Sequence, residues 1–125
     1  MGNRAVIINK ADMHSGQINS EQIGIYLHRN GGRDSVEAFL TYCELRGFRT
    51  PDSGTYGRAR LVQVIANYMG GKYSIGIGQV KDLDTDNFDN SVYIIEGWKI
   101  VGRMYQRGAD KIKTLLDNDR RFKKE

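Results

Sequence analysis

The spacing of hydrophobic residues divides the chain into segments with the period of strands and segments with the period of helices. Residues 4–8 form a short apolar run rich in β-branched side chains, which is typical of a strand buried on both faces. Residues 9–21 are polar and predict a loop. Residues 23–28 then alternate, so that Tyr26 and His28 share the face opposite the aliphatic side chains. That face is either exposed to solvent or part of a site.

A first helix is predicted after a turn at residues 29–34, where a pair of glycines can supply the positive φ angles of a sharp reversal. Asp34 or Ser35 can cap the start of this helix, and Gly47 can end it. Its buried stripe is predicted to consist of four side chains at helical spacing, which are Val36, Phe39, Leu40 and Cys43. The cysteine is therefore interpreted as core packing, because a reactive thiol needs an exposed, electropositive setting.

A second helix is predicted after a connection that contains a proline and a glycine, with Ser53 or Thr55 as its cap. Its buried stripe is predicted to contain Leu61, Val64, Ile65 and Tyr68. Arg58 and Arg60 fall in its first turn and a half, where a cation opposes the helix macrodipole by about 1 kcal/mol or less. A bound anion would explain the two arginines, and so would simple exposure to solvent.

The next part of the chain predicts a strand and a hairpin. Residues 73–78 alternate small residues with larger ones, so a helix, a ligand or another chain is expected to lie close over the face of small residues. Residues 92–101 predict a hairpin with its turn at residues 96–97. Trp98 is expected to open the returning strand, and Gly102 is the expected position of a bulge.

These elements add up to an α+β domain that spans residues 1–125 as a single unit. We expect a mostly antiparallel sheet of about five strands, two helices inserted after the second strand, and a C-terminal helix that follows Gly108. The C-terminal helix carries few apolar residues, so it is expected to pack on the sheet or against a partner subunit.

Composition limits the setting of the protein more than its function. The chain has 125 residues and a single cysteine, which excludes an internal disulfide and a multi-cysteine zinc site and favours a reducing compartment. No apolar run approaches the roughly 18 residues of a membrane span, so a cytoplasmic location without membrane contact is expected. Most of the formal net charge of +4 lies in residues 120–125, whereas a nucleic-acid binder usually carries a broader basic stripe. Nucleic acid is therefore not the expected partner.

No set of residues has the spacing of a known catalytic or metal site. The two histidines, His14 and His28, lie on a loop and a strand and make no recognised metal motif. The acidic run that starts at Asp82 resembles the opening of a calcium loop, but Asn87 and Tyr93 replace the required glycine and glutamate. No serine has the small-residue neighbours of a nucleophile elbow. The sequence therefore predicts neither an enzyme nor a bound metal or cofactor.

Binding of a small nucleotide is better supported, because arginine clamps phosphate and flat aromatic rings stack on a base. We expect phosphate contacts from Arg29, Arg58, Arg60, Arg103 and Arg107. Tyr56 and Phe88 are the candidates for stacking, and Asn90 is the candidate for reading a base edge or a ribose. For Tyr93 and Trp98 of the hairpin, the alternative is that their rings fill the core.

Several runs of the sequence resemble a family of small phage and prophage proteins. They are residues 1–7, 24–40, 56–61, 63–68, 89–95 and 98–102. The chain is similar in these runs to the Thoeris anti-defence sponges, which sequester cyclic ADP-ribose isomers made by TIR-domain enzymes and do not cleave them. The resemblance implies an antiparallel sheet between helices, dimer contacts through the C-terminal helix, a homo-oligomer of up to six subunits, and a ligand held between subunits. It also implies action in the cytoplasm of an infected bacterial host, and some members of the family hold cyclic trinucleotides.

Two other functions remain open from the sequence. A phage inhibitor of the anti-CRISPR type would bind a defence protein directly and would be indifferent to nucleotides. A small nucleic-acid-binding domain would use the basic tail at residues 120–125, and its binding would weaken steeply with salt.

Overall fold

The computed structural model describes residues 3–52, 55–70 and 73–104, and these form five strands and two helices. In chain order the elements are β1 (Ala5–Asn9), β2 (Ile23–Leu27), α1 (Arg33–Leu45), α2 (Thr55–Tyr68), β3 (Ile75–Gln79), β4 (Val92–Glu96) and β5 (Lys99–Met104). The predicted α+β class, the mostly antiparallel sheet and the two helices after the second strand are confirmed. The predicted C-terminal helix lies outside the described residues.

The sheet has the order β3-β2-β1-β4-β5, with β1 at its centre. β1 pairs in parallel with β4, and the other neighbouring pairs are antiparallel. Every residue of β1 is buried, as its apolar run predicts, because the strand has neighbours on both sides and cover on both faces. The pairing also gives the sheet two distinct ends: β1 and β4 begin at one end, where β2 and β5 stop.

Both helices pack on one face of the sheet and form the larger core cluster with it. The four residues of the stripe predicted for α1 are all buried there, which confirms the packing role of Cys43. The opposite face carries a smaller cluster, made of Val6, Ile8, Val80, Val92 and Ile94. Loops cover this second face, since Met13, Ile18 and Leu83 pack on it from the segments that follow β1 and β3.

The start of α1 differs from the prediction. The helix begins at Arg33 without a side-chain cap, so Asp34 and Ser35 lie inside it and neither is the cap. The positive φ angle of the turn is found at Asn30, at 58°, and not at a glycine. Gly31 is needed for space instead, because a Cβ atom there would lie 2.5 Å from a backbone oxygen of the segment just before β1.

α2 buries Leu61 and Ile65 as predicted, but the prediction for Tyr68 is wrong. Tyr68 is 68% exposed and meets Phe39 of α1 edge to face, with ring centroids 5.5 Å apart. Met69 takes the buried position instead. The reason is that the buried positions recur every four residues, at Gly57, Leu61, Ile65 and Met69. Position 69 therefore faces the core and position 68, three residues after Ile65, does not.

The hairpin of β4 and β5 is confirmed, with two local differences. Glu96 pairs with Lys99, so Trp98 lies in the turn and not in the returning strand. The indole N–H of Trp98 donates to the Phe48 oxygen at 3.1 Å and the ring is buried, which confirms a core role. The register shifts at Val101, one residue before the glycine at which the bulge is predicted.

Part of the small-residue face of β3 is covered by the chain itself. A Cβ atom at Gly78 would lie 3.6 Å from the side chain of Leu83, and one at Gly24, its partner on β2, would lie 3.0 Å from the same side chain. A Cβ atom at Gly76 would lie 3.7 Å from Tyr26. Something does lie close over this face at Gly78, but it is the side chain of Leu83 of the same chain, and not the helix, ligand or second chain that was expected.

Candidate functional site

The residues predicted to bind a ligand separate into two groups at opposite ends of the sheet. Four of them lie at the end where β1 begins, and they are Arg29, Phe88, Asn90 and Arg103. Together with Asn3 we call them the Asn3 end. Tyr56, Arg58 and Arg60 lie in the first turns of α2, at the end where β1 stops, and we call them the Arg58 end. Arg107 lies outside the described residues.

Hydrogen bonds of Asn3 and Asn90 join the segments before β1, β4 and α1 at the Asn3 end. The Asn90 amide nitrogen donates to the Asn3 side-chain oxygen at 2.7 Å and to the Arg4 backbone oxygen at 3.0 Å. Arg103 donates from Nε to the Asn90 backbone oxygen at 3.0 Å and from Nη2 to the Asn90 amide oxygen at 3.3 Å. The Asn3 backbone oxygen accepts from the Gly31 N–H at 2.7 Å, just before α1. Asn90 is therefore first a structural link, because both ends of its amide are engaged within the chain.

Arg103 also lies over a buried tyrosine. Its guanidinium carbon is 5.2 Å from the centroid of the Tyr93 ring, within the range of a cation–π contact. The ring of Tyr93 is completely buried, which confirms the core role of this residue. Its hydroxyl has no hydrogen-bond partner within the described ranges, and burial raises the pKa of Tyr93. The ring and Asn90 together fix the position of Arg103.

The loop before β4 is held in shape by a buried amide. The Asn87 side-chain oxygen accepts from three successive backbone N–H groups, those of Asp89, Asn90 and Ser91, at 3.0, 3.2 and 3.0 Å. The Asn87 amide nitrogen donates to the Asp84 backbone oxygen at 2.9 Å. Asn87 itself is completely buried, and these bonds organise the loop that carries the candidate stacking ring.

Arg4 supplies the positive charge that faces the carboxylates of this loop. Its guanidinium pairs with Asp84 at 3.2 Å and with Asp89 at 2.9 Å, and it donates to the Asn87 backbone oxygen. The hydrogen bond to Asp89 raises the pKa of Arg4. The acidic run therefore neutralises an arginine of the same chain. In the part of the chain that the structure describes, no group of three or more His, Cys, Asp or Glu side chains is placed to hold a metal ion.

Phe88 is displayed on the surface by this loop. Its side chain is 59% exposed, and its backbone is left-handed with a φ angle of 62°. Ser91 and Asn30, at the same end of the sheet, have φ angles of 57° and 58°. A left-handed backbone at a residue with a side chain costs about 1 kcal/mol or more, so the surrounding contacts must hold this shape. Backbone strain of this kind is concentrated at ligand-binding sites.

Arg29 and the start of α1 form the other half of the Asn3 end. Arg29 is exposed and makes no ion pair or side-chain hydrogen bond with the described part of the chain. The first turn of α1 has no side-chain cap, which leaves backbone N–H groups open to a ligand. Arg33, in the same turn, is paired with Glu37 at 3.0 Å. Arg29 is therefore the arginine that is available to an anion beside this helix start.

Arg58 is in the opposite situation. It pairs with Asp12 at 2.6 Å, with both side chains about one-third exposed (28% and 30%), and donates from Nε to the Pro51 backbone oxygen at 3.2 Å. The Asn9 amide, turned so that its oxygen faces the guanidinium, accepts from Arg58 at 2.8 and 3.1 Å. Arg58 thus ties the end of β1, the segment after it and the connection before α2 together, and a phosphate would have to displace Asp12 to bind it.

A groove of about 510 Å³ lies beside Arg58, between α2 and the β2–β3 side of the sheet. Its walls are mostly apolar and include Ile23, Ile25, Ala59, Val62, Ala66 and Ile77. Asn9, Arg58 and Gln63 are its polar side chains, a combination that suits a flat and partly polar molecule. On the same helix, Tyr56 is 62% exposed, and Arg60 is exposed and donates to Gln63 at 3.4 Å.

Two arginines that the sequence pattern did not single out lie over aromatic rings. The Arg46 guanidinium lies 5.8 Å from the ring centroid of Tyr42 and 5.7 Å from that of Phe48. The Arg49 guanidinium lies 5.8 Å from the ring centroid of Tyr56. Neither arginine pairs with a carboxylate of the described residues. The available signal was the spacing of Tyr42 and Arg46, which are one helical turn apart and so share a face.

No family model, curated protein or solved structure matches the chain. Within residues 3–52, 55–70 and 73–104, no helix has the length and apolar character needed to cross a bilayer.

Proposed function

We propose that this chain is a binding protein which holds a small anionic molecule with a flat ring and does not change it chemically. The observation that carries the proposal is the exposed ring of Phe88, on a loop fixed by Asn87, at the end of the sheet where Arg29 has no partner among the described residues. A ring on a preorganised loop binds with a small ordering cost, and an unpaired arginine adds a charged hydrogen bond to phosphate. Stacking and phosphate binding are the two contacts that a nucleotide requires.

Within this class, we propose a phage-type anti-defence protein that sequesters a cyclic nucleotide immune signal in the cytoplasm of the infected bacterial host. The ligand is a cyclic ADP-ribose isomer, with cyclic oligonucleotides as a second group of ligands. Two observations support this choice. The sequence runs resemble the Thoeris anti-defence sponges, and the Asn3 end combines an exposed arginine with an exposed aromatic ring.

Sequestration without turnover agrees with the state of the reactive side chains. Cys43 is completely buried, and burial raises the pKa of its thiol to about 11, so the nucleophilic thiolate is scarce at neutral pH. His28 shares a hydrogen bond of 2.9 Å with the Tyr26 hydroxyl through Nδ1. Covalent catalysis also needs a third group that orients the base, and no other side chain of the described residues hydrogen-bonds to His28.

We propose that the ligand lies between subunits of a homo-oligomer, either a dimer or a larger assembly of up to six subunits. The Asn3 end and the Arg58 end are separated by the five residues of β1, which is about 17 Å at 3.4 Å per residue. A small molecule that stacks on Phe88 does not reach Arg60 of the same copy across that distance. If residues from both ends contribute to one site, they come from different copies.

The test is a capture and release experiment. Purified protein is mixed with a panel of cyclic ADP-ribose isomers and cyclic oligonucleotides, filtered and then heated, and each small molecule is quantified by mass spectrometry at each step. A compound that leaves the filtrate and returns unchanged on heating supports the proposal. A compound that returns altered shows an enzyme, and a panel that stays wholly in the filtrate contradicts ligand capture and directs the search to a protein target.

Two substitutions locate the site within that experiment. Phe88→Ala and Arg29→Ala are each expected to weaken capture by about tenfold or more, because base stacking and a charged hydrogen bond each contribute about 1–3 kcal/mol. Tyr68→Ala is the matched control for the ring, since Tyr68 is similarly exposed but lies on α2. Lys81→Ala is the control for charge. Undiminished capture by both test variants would exclude the Asn3 end as the binding surface.

The stacked arginines favour a second candidate function, which is binding of single-stranded nucleic acid. Arg46 and Arg49 alternate with exposed rings, as in surfaces that hold bases and phosphates together. If this function is correct, the double variant with both arginines changed to alanine lowers the salt dependence of oligonucleotide binding by about two phosphate contacts. Fluorescence anisotropy with a labelled oligonucleotide measures it, and deletion of residues 120–125 tests the tail separately.

A further inference from the structure

The two edge strands of the sheet differ in how they are protected. β5 carries Lys99 and Arg103 and has a register shift at Val101, and both features discourage pairing with another strand. β3 reads Ile-Gly-Ile-Gly-Gln and has no charge, no proline and no register shift against β2. Among the described strands, none pairs with the outer side of β3. Natural proteins rarely leave an edge of this kind uncovered.

The hydrogen bonds to β2 show which backbone groups of β3 point outward. The His28 N–H donates to the Ser74 oxygen, and the Val80 N–H donates to the Gln22 oxygen, both at 2.9 Å. Inward and outward groups alternate along an antiparallel strand, so the even-numbered residues from Ser74 to Val80 bond to β2. The backbone groups that point away from the sheet therefore belong to Ile75, Ile77 and Gln79.

We propose that β3 pairs with β3 of a second copy of this chain, antiparallel, about a two-fold axis at Ile77. In this register Ile77 faces Ile77 of the partner subunit, and Ile75 faces Gln79 of the partner subunit. Each outward N–H and C=O of these residues then finds a partner, which gives about six hydrogen bonds across the axis. The five strands of each copy join into one continuous sheet.

The side chains of the edge agree with this pairing. Ile77 is 61% exposed and Ile23, on the same face, is 40% exposed, so pairing removes apolar surface from water on that face. On the opposite face Gly76 and Gly78 present no side chain that would obstruct a second strand. The pattern is also nearly symmetric about Ile77, since a glycine stands on each side of it, and an isologous interface requires such self-complementarity.

This interface goes beyond the proposed function, because it needs no ligand. It also differs from the contact through the C-terminal helix that the family resemblance implies. A chain with both interfaces builds an assembly larger than a dimer, since each two-fold contact joins a different pair of copies.

The first test is the mass of the full-length chain in solution, measured by sedimentation velocity. Ile77→Pro removes an outward N–H and leaves the bonds to β2 in place, and Ile77→Lys adds a charge to the edge. Both variants are expected to lower the mass to that of the unit without the β3 contact, which is half of the assembly for a dimer or a tetramer. Val101→Lys, at the 48% exposed position on the other edge, is the matched control and is expected to leave the mass unchanged.

Circular dichroism confirms that each variant is folded before its mass is compared. An unchanged mass in both folded Ile77 variants overturns the proposal, and so does a monomeric wild-type chain. Ligand capture is measured on the same proteins. If Ile77→Lys dissociates the assembly and still captures ligand, the interface is confirmed and is separate from the binding site. If the mass is unaffected while capture occurs, the interface alone is wrong.

The second test is a disulfide that reports the register. In the proposed pairing the two Ile77 Cα atoms lie about 5.5 Å apart, inside the range of about 4.4–6.8 Å that a disulfide spans. Ile77→Cys is expected to form a covalent dimer on mild oxidation, visible on a non-reducing gel. The wild-type chain, whose single cysteine Cys43 is buried, and Val101→Cys are the controls. Failure of Ile77→Cys to cross-link overturns the two-fold axis at Ile77.

Discussion

The two ends of the sheet place arginine side chains in opposite situations. At the Arg58 end, Arg58 is partly buried and already neutralised by Asp12 at 2.6 Å. At the Asn3 end, Arg29 is exposed and has no partner in the described part of the chain, while Asn90 and Arg103 satisfy each other. An arginine that is already paired stabilises the fold, whereas an unpaired arginine is available to an anion. Whether an arginine is already paired within the chain, and not its residue type, therefore decides whether it stabilises the fold or is available to a ligand.

Removal of the Asn87 amide is expected to have the largest effect on the stability of the Asn3 end. Asn87→Ala is expected to lower the free energy of unfolding by about 3 kcal/mol, because the N–H groups of Asp89 and Ser91 lose their acceptor, while that of Asn90 keeps the Arg4 oxygen at 3.1 Å. Capture of ligand should fall with it, since the loop no longer holds Phe88 in place. Urea denaturation measures the first effect and the filtration assay the second. Asn87→Asp keeps the acceptor oxygen and should lose less, and a loss below about 1 kcal/mol for Asn87→Ala would contradict the role given to this amide.

Substitution of Arg58 and of Arg29 is expected to affect the stability of the fold unequally. Arg58→Ala is expected to lower the free energy of unfolding by about 2 kcal/mol, since it leaves Asp12 and Asn9 without their partner. Arg29→Ala should change it by less than about 0.5 kcal/mol, as for other exposed positions without contacts. Urea denaturation of both variants, together with Asp12→Ala in a double-mutant cycle, measures the difference. Equal losses for Arg58→Ala and Arg29→Ala would remove the distinction between the two ends.

The parts of the fold that follow from one segment alone could be predicted from the sequence. Helical spacing of apolar residues predicted the buried stripe of α1 from Val36 to Cys43, and the pattern of strand and turn residues predicted the hairpin. Prediction failed where the residue type or the conformation depends on packing between segments that are distant in the sequence. Gly31 is a glycine because the segment before β1 passes 2.5 Å from its would-be Cβ, and no local pattern contains that contact.

The candidate site shows the same division. Aromatic rings and arginines could be selected by their chemistry, but their grouping depends on strand order, and a parallel β1–β4 pair cannot be deduced from local periodicity. Strand order is what separates Phe88 from Tyr56 by the length of β1. The engagement of Arg58 depends on Asp12, which is 46 residues away in the sequence, so Arg58 and Arg29 look alike until the chain is folded.

The core lies between the two ends, so ionisation of a buried core group is expected to destabilise both of them. Burial raises the pKa of Cys43 to about 11 from its ordinary value of 9.0, so the folded state requires the protonated thiol. The contribution of this group is fully present below pH 9 and is lost as the pH rises through 11, with about 1 kcal/mol lost at pH 10. Thermal unfolding of the wild type and of Cys43→Ala at a series of pH values measures it. The alkaline loss should be smaller in Cys43→Ala, and equal losses would contradict a buried protonated thiol.

The smallest expected effect separates strain from contact at Phe88. Phe88→Ala removes the ring but keeps a Cβ atom on a backbone with a φ angle of 62°, whereas Phe88→Gly removes both. The left-handed backbone favours glycine by about 1 kcal/mol, and the greater freedom of glycine in the unfolded chain offsets part of that gain. Phe88→Gly should therefore be more stable than Phe88→Ala by roughly 0.5 kcal/mol in urea denaturation, although both lose ligand capture. If Phe88→Gly is the more stable variant and does not capture ligand, the strained backbone serves to present the ring. If Phe88→Gly is the less stable variant, the loop is not held in the left-handed conformation in solution.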